Sequence, residues 1–305
     1  MGPDTGAGMD QQRRGVLYPG RLPEFHRIEP PADLEHAVRW FWIPEWSLPD
    51  GVESRQELLP FPACNLVVEP GGVIATGPPT RRAERVLSGN GWAVGALLRA
   101  AAAPSFIDDL AALRDSAVRI DAPELLDEVV AAMGDASTGS ATASTGSATA
   151  STGSAASRAP AQMRRERAVA AFSRWLRARV PQLGGGEASG ELELVGELER
   201  LLADPAVTRV DQLPPLLHIA PRTLQRLAER HFGLSPHSMI RRRRLQEAAE
   251  RLREDPSLGI GALASELGYA DHAHFTRDFG SLLGVTPSEY RERAVPSPGL
   301  SARNP

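Results

Sequence analysis

Near the C-terminus the run HAHFTRDFGSLL, residues 272–283, carries imidazole, hydroxyl and guanidinium groups on His272, Thr276 and Arg277. On a helix these three and Ala273 share one side, while Phe275, Phe279, Leu282 and Leu283 share the other. An arginine fork matches the acceptor pair on a guanine edge, and threonine or histidine can serve several bases. The chemistry open to such a face is hydrogen bonding to base edges in a major groove. A second concentration of charge, Arg241–Arg244, offers guanidinium groups to phosphates. It can equally form a solvated face paired with Glu247 and Glu250. Consecutive residues diverge around a helix, so at most two of these four can face a duplex together. His272 and His274 are two apart, too close in sequence to share a helical face as metal ligands.

The elements that must position this face are legible beside it. In IGALASELGY, residues 260–269, Leu263 and Leu267 form an apolar stripe with the small Ala264 beside it. Gly268 stands where a left-handed residue ends a helix. Asp271 can N-cap the helix that follows. A helix, a tight glycine turn and a second helix with a polar outer face make a helix-turn-helix pattern. Gly284 then ends the second helix, Thr286 and Pro287 open another, and Tyr290 packs back.

The segment IGALASELGYADHAHFTRDFGSLLGVTPSEYR resembles the second half of an AraC/XylS-type DNA-binding domain. The resemblance covers roughly residues 206–293. It implies two helix-turn-helix units joined by a long helix, and the first unit is found upstream. VDQLPPLLHIAPRTLQRLAERHFGLSPHSMI precedes RRRRLQEAAERLRE, which is similar to the connecting helix. The resemblance places base contacts on Arg222, Gln225 and Arg226 in the first unit, and on His272, Ala273, Thr276 and Arg277 in the second. It makes Thr223, Arg241, Arg242, Arg244, Thr286 and Arg291 phosphate contacts, which orient rather than specify.

The first unit departs from the family pattern at three positions. Pro214 replaces a small alanine and is followed by Pro215; His218 replaces the turn glycine; Ala220 replaces an N-cap serine. Proline inside a helix costs about 3 kcal/mol, a lost cap about 1 kcal/mol, and a non-glycine left-handed residue on the order of 1 kcal/mol. The expectation is a shortened positioning helix beginning near Pro214, where the first turn tolerates proline. Pro221 suits the first position of the recognition helix, with Leu224 and Leu227 facing the core. Whether this unit still reads bases is open from sequence.

Ahead of this region the texture changes. Residues 1–20 read as a disordered tail, and 294–305 as another. Residues 21–135 read as an α+β regulatory domain, a small β-barrel or sandwich with helices, loosely resembling the β domains found ahead of AraC-type halves. ELLPFPACNLVVEP, GGVIATGPP and WAVGALLRA look like strands. LEHAVRWFW is expected to pass from helix to strand and stop at Pro44. FIDDLAALRDSAVRI and APELLDEVVAAM have helical spacing. Trp40, Trp42, Trp46 and Trp92 belong to the core or line a ligand pocket. Residues 136–158, built on ASTGSAT repeats, read as a flexible linker. Residues 159–203 read as a helical connector, with helices expected over Gln162–Val180 and Leu192–Leu202. His231 and His237 are expected as capping or surface residues.

Composition bounds the function class. The 305 residues, 42% apolar and 24% charged, fit two folded units. No apolar run reaches the roughly 18 residues of a membrane span, and no signal sequence is expected. Cys64 is the single cysteine, so no internal disulfide forms and a cytoplasmic setting is the natural reading. Residues 209–293 hold thirteen Arg against eleven acidic residues, a net +2 on a chain of net −4. That bias alone does not establish a nucleic-acid partner. No G-x-S-x-G, H-E-x-x-H or phosphate-binding glycine loop occurs, and Glu24, His26, Glu57 and Glu69 are too scattered for an acid–base pair.

The expectation is a non-enzymatic, sequence-specific bacterial-type transcription regulator without metal or cofactor. Its partner is double-stranded DNA, with room for a small-molecule effector in the N-terminal domain and for a homodimer. Two rivals are a protein–protein adaptor with a degenerate first unit, and an enzyme with an accessory DNA-binding half.

Overall fold

The computed structural model describes residues 24–58, 63–134, 155–180 and 187–294. The expected tail 1–20 and residues 136–154 of the expected linker lie outside these, and so do 295–305 of the second tail. Residues 155–158 open a helix.

The N-terminal domain is strand-rich. Strands β1 (Glu24–Ile28), β2 (Val38–Ser47), β8 (Val94–Leu98), β4 (Asn65–Glu69), β5 (Gly72–Thr76) and β9 (Ala117–Ile120) form one antiparallel sheet in that order, with β7 (Asn90–Trp92) also on β2. Strands β3 (Glu53–Leu58) and β6 (Ala83–Ser88) form a separate pair. Strand alternation divides β2 between two faces. Phe41 and Ile43 are fully buried on one, while Trp40, Trp42 and Trp46 lie half-buried on the other. Trp92 joins the core, and its indole N–H donates to the Gly134 carbonyl at 2.9 Å. Trp42 donates to Asn65 Oδ1 at 2.9 Å, and the Arg27 guanidinium sits 4.3 Å over the Trp40 ring.

Two local expectations are corrected. Pro44 does not stop β2. The strand's pairing with β8 ends at Trp42 and that with β7 begins at Glu45, so the missing N–H falls between two ladders. FIDDLAALRDSAVRI is not a helix. Asp115 adopts a left-handed φ of 56°, its carboxylate takes hydrogen bonds from Thr80, and residues 117–120 then pair with β5. APELLDEVVAAM does form a helix, α1 (Pro123–Met133).

The expected connector divides between two cores. Helix α2 (Ala155–Arg177) packs Ala168, Val169, Phe172, Trp175 and Leu176 against the inner face of the sheet and α1. Arg165 anchors it there, donating to Glu45 and facing His26, each at 2.7 Å. Helix α3 (Glu187–Ala203) instead gives Val195, Leu198, Leu201 and Leu202 to the C-terminal domain.

The C-terminal domain continues with α4 (Leu213–Leu217), α5 (Pro221–Phe232), α6 (Pro236–Glu254), α7 (Ile260–Glu266), α8 (His272–Leu283) and α9 (Pro287–Ala294). Helix α6 joins two cores. Met239 and Ile240 lie in the first with α3, α4 and α5; Leu245, Ala248, Ala249 and Leu252 lie in the second with α7, α8 and Tyr290. Among the described residues no helix is long and apolar enough to cross a membrane.

Candidate nucleic-acid interface

The second unit follows the sequence pattern. Helix α7 ends at Glu266, and Gly268 turns the chain with a φ of +75°, which glycine adopts without a Cβ clash. The Asp271 carboxylate accepts the His274 backbone N–H at 2.6 Å, satisfying a free donor at the start of α8. Phe275, Phe279, Leu282 and Leu283 are buried beneath α8, and the opposite face is left to solvent.

The first unit reaches the same arrangement by a different route. Its positioning helix α4 is five residues long, with Pro214 in its first turn. His218 takes the left-handed conformation at φ 53°, ψ 40°, and Ala220 caps α5 without a side-chain hydrogen bond. Leu224, Leu227, Ala228 and Phe232 bury one face of α5. Because His218 holds a backbone region that favours glycine, His218→Gly is expected to stabilise the domain by about 1 kcal/mol. A higher denaturant midpoint at unchanged slope checks this, and a lower midpoint would show that the imidazole contributes more than the turn costs.

The candidate base contacts fall on two surfaces. Arg222, Gln225 and Arg226 are exposed on α5, and His272, Ala273 and Arg277 on α8. Thr276 is half-buried, and its hydroxyl is shielded without a partner among the described residues. Arg277 Nε donates to the Ala273 carbonyl one turn back at 3.4 Å.

The candidate phosphate contacts are more dispersed. Thr223 is half-buried on α5. Thr286 is exposed but forms a reciprocal cap, with Glu289 Oε2 taking both its backbone N–H at 2.8 Å and its hydroxyl at 3.0 Å. Arg291 is half-buried and reaches the Leu258 carbonyl at 3.5 Å. The arginine run diverges as helical geometry requires. Arg241 turns to Asp278 and Ser281 on α8. Arg243 turns inward to the Val207 carbonyl at 2.9 Å and Glu247 at 3.3 Å. Arg244 lies 4.0 Å over the Tyr269 ring. Arg242 is only 3% exposed and donates to the Pro79 carbonyl, with burial pushing its pKa down to about 10. In this arrangement Arg242 cannot reach a phosphate, because the N-terminal domain covers it.

That covering is a feature sequence reasoning missed. The loop after β5 meets the end of α8, where the Arg82 backbone N–H donates to the Leu282 carbonyl at 3.1 Å. Another part of the N-terminal domain meets the end of α5. Gly233, with φ +63°, lies so close to the Leu110 carbonyl that a Cβ there would approach its oxygen to 2.5 Å. Beside it His231, expected as a capping or surface residue, is 4% exposed. Its ring nitrogens face the Ala100 carbonyl at 3.3 Å and Glu191 at 2.8 Å. The Glu191 carboxyl is held below its usual range by that contact first and by Arg230 and Arg226 nearby, against the opposing effect of burial. These contacts grip the C-terminal ends of both helices and leave their exposed polar faces uncovered.

Comparison with known proteins agrees with the local geometry. Residues 216–293 match a family model described as a helix-turn-helix domain, and residues 26–119 match one described as a domain of unknown function, DUF6597. An uncharacterized HTH-type transcriptional regulator of Haemophilus influenzae is 32% identical over 83 residues, 27% of this chain and 28% of that protein. The HTH-type transcriptional activator RhaS of Pectobacterium carotovorum is 28% identical over 113 residues, covering 37% and 39%. The HTH-type transcriptional regulator VirS of Mycobacterium tuberculosis is 33% identical over 99 residues, covering 32% and 28%. The matched segments therefore span well under half of these relatives. Among solved structures, ToxT from Vibrio cholerae aligns over 88% of this chain and 95% of that one at 14% identity, with a TM-score of 0.33. That score is too low to establish a common arrangement.

Proposed function

We propose, from the premise that residues 216–293 are an AraC-type helix-turn-helix domain, that this protein is a sequence-specific DNA-binding transcription regulator. The observation that carries the reading is the pair of helices α5 and α8. Each buries an apolar face in its own core and leaves hydrogen-bonding side chains outward, as a major-groove reader must. Arg222, Gln225 and Arg226 address one half-site; His272, Ala273 and Arg277 address the next, one helical turn along the same side of the duplex, while the shielded Thr276 hydroxyl is not among the groups that reach a base. Thr223, Thr286 and Arg291 supply phosphate contacts that fix the register. Arg244 joins them once its guanidinium leaves the Tyr269 ring. The exposure of α5 also favours a first unit that still reads bases, over an adaptor that has lost this role.

The domain division follows the same reading. The N-terminal strand-rich domain is the regulatory half, and it is the place for a small-molecule effector. Its three half-buried indoles on one sheet face supply the apolar surface such a ligand needs. Because the N-terminal domain touches the ends of both recognition helices, a change in its docking would alter their spacing.

Binding driven by phosphate contacts must weaken with salt. With Arg244 and Arg291 neutralising two phosphates, affinity for a selected site falls roughly tenfold between about 50 and 200 mM salt. Gel shifts across that range measure the slope. An affinity independent of salt would remove the electrostatic docking on which the reading depends.

A further inference from the structure

We propose that Arg241 and Asp278 are a positioning pair that sets the roll of the second recognition helix and thereby decides which bases its outer face reads. The inference rests on the DNA-binding reading above and gives Arg241 a role other than phosphate contact. Arg241 stands on α6 and reaches across to α8. Its Nε lies 2.9 Å from Asp278 Oδ2 in an ion pair whose Nε–H makes no hydrogen bond among the described residues, and its Nη2 donates to Ser281 Oγ at 2.5 Å. Ser281 Oγ in turn donates to the Asp278 carbonyl at 2.8 Å. One guanidinium thus holds two residues of a single helical turn. His274 Nε2, one turn earlier, lies 3.7 Å from the same carboxylate oxygen.

The geometry explains why this grip controls reading. At about 100° per residue, Asp278 and Ser281 sit on the flank of α8 next to Arg277, between the buried phenylalanines and the outward face. The side-chain surface of a helix lies about 5–6 Å from its axis, so a roll of about 20° displaces a reading group by roughly 2 Å. That exceeds the tolerance of a bidentate hydrogen bond. The close-packed rings of Phe275 and Phe279 set the depth of α8 and its coarse angle, leaving the fine roll of the outward face to contacts on its flank. The hydrogen bond from Arg241 Nη2 to Ser281 Oγ is directional, and with the ion pair to Asp278 it adds an angular constraint on this flank of α8.

The Arg241 and Asp278 side chains are 35% and 18% exposed, so removing one partner can destabilise the domain, and each variant is compared with the wild type by chemical denaturation before binding is measured at a temperature where all are folded. The test is quantitative binding of Arg241→Ala, Asp278→Asn and the double variant to a selected site. Each is also measured on sites mutated in the first or second half and on random-sequence DNA, with salt slopes. The two single variants change net charge in opposite directions. As positioning residues they nevertheless produce one outcome. Discrimination within the second half-site falls roughly tenfold in both, and the double variant falls no further. First-half discrimination and the salt slope stay at wild-type values. If Arg241 instead touches a phosphate, Arg241→Ala lowers affinity for every sequence alike and reduces the slope by about 0.9. If Asp278 is merely a negative charge near DNA, Asp278→Asn tightens binding to every sequence. Either result overturns the proposal while leaving the DNA-binding reading standing. A wild-type protein that prefers no sequence overturns both.

Discussion

Replacing Phe279 with alanine is expected to cost the C-terminal domain about 3–5 kcal/mol, the range for deleting a buried aromatic side chain. Phe279 is 0% exposed, with the rings of Phe275 at 5.6 Å and Tyr290 at 5.7 Å. It is the point where α8 and α9 share one core with α6. A cavity there removes contacts from three elements together, and the solvent-facing side of α8 loses its support. The expected signature is a lower unfolding midpoint accompanied by loss of second half-site binding. Phe279→Leu keeps most of the volume and is expected to cost well under half as much. Chemical denaturation followed by circular dichroism measures both variants. A loss below about 1 kcal/mol for alanine, against the usual range for buried aromatics, would mean that the second unit does not depend on this core.

Alanine at Arg277 is expected to leave the fold intact and weaken binding to the selected site by about 1–3 kcal/mol. The side chain is exposed on α8 and reaches a carbonyl of its own helix at 3.4 Å, an interaction weak enough to exchange for a base. A bidentate contact to guanine N7 and O6 would concentrate the loss at one base pair, so preference at that position relaxes while the others hold. Competition gel shifts with single-base variants of the site measure this directly. Unchanged affinity would show that α8 does not enter the groove as oriented above.

The two predictions probe different layers of the molecule. Phe279 tests whether the helix is held, and Arg277 tests what it is held for. The pairing of Arg241 with Asp278 joins those layers, since it contributes orientation rather than burial or base contact.

Local determinants made the second unit legible in the sequence. Gly268, Asp271 and Gly284 act on their immediate neighbours, and the apolar spacing of Phe275, Phe279, Leu282 and Leu283 identifies the inner face without any partner in view. His218 was legible for a related reason. A residue forced to play the glycine role and a proline confined to a first turn restrict the backbone wherever the rest of the chain lies, and α4 begins and ends accordingly.

Contacts between distant segments were not legible. Arg242 meets a carbonyl 163 residues away, and His231 one 131 residues away. Each side chain reads as a surface group until the N-terminal domain is placed against it. The connector shows the same limit. Both of its helices are amphipathic, and periodicity reports that a face is buried without saying against which core. FIDDLAALRDSAVRI failed for a further reason. Its apolar spacing fits a helix as well as a turn followed by an edge strand, and the deciding features, the left-handed Asp115 and the pairing with β5, are set by tertiary structure.

The claim that α5 and α8 read successive major grooves is tested most directly by selecting the full-length protein against a random-sequence duplex pool at moderate salt. The expected result is enrichment of two short motifs centred about 10–10.5 base pairs apart, one lost with Arg222→Ala and the other with Arg277→Ala. Recovery of no enriched sequence, or of motifs indifferent to both substitutions, would contradict it.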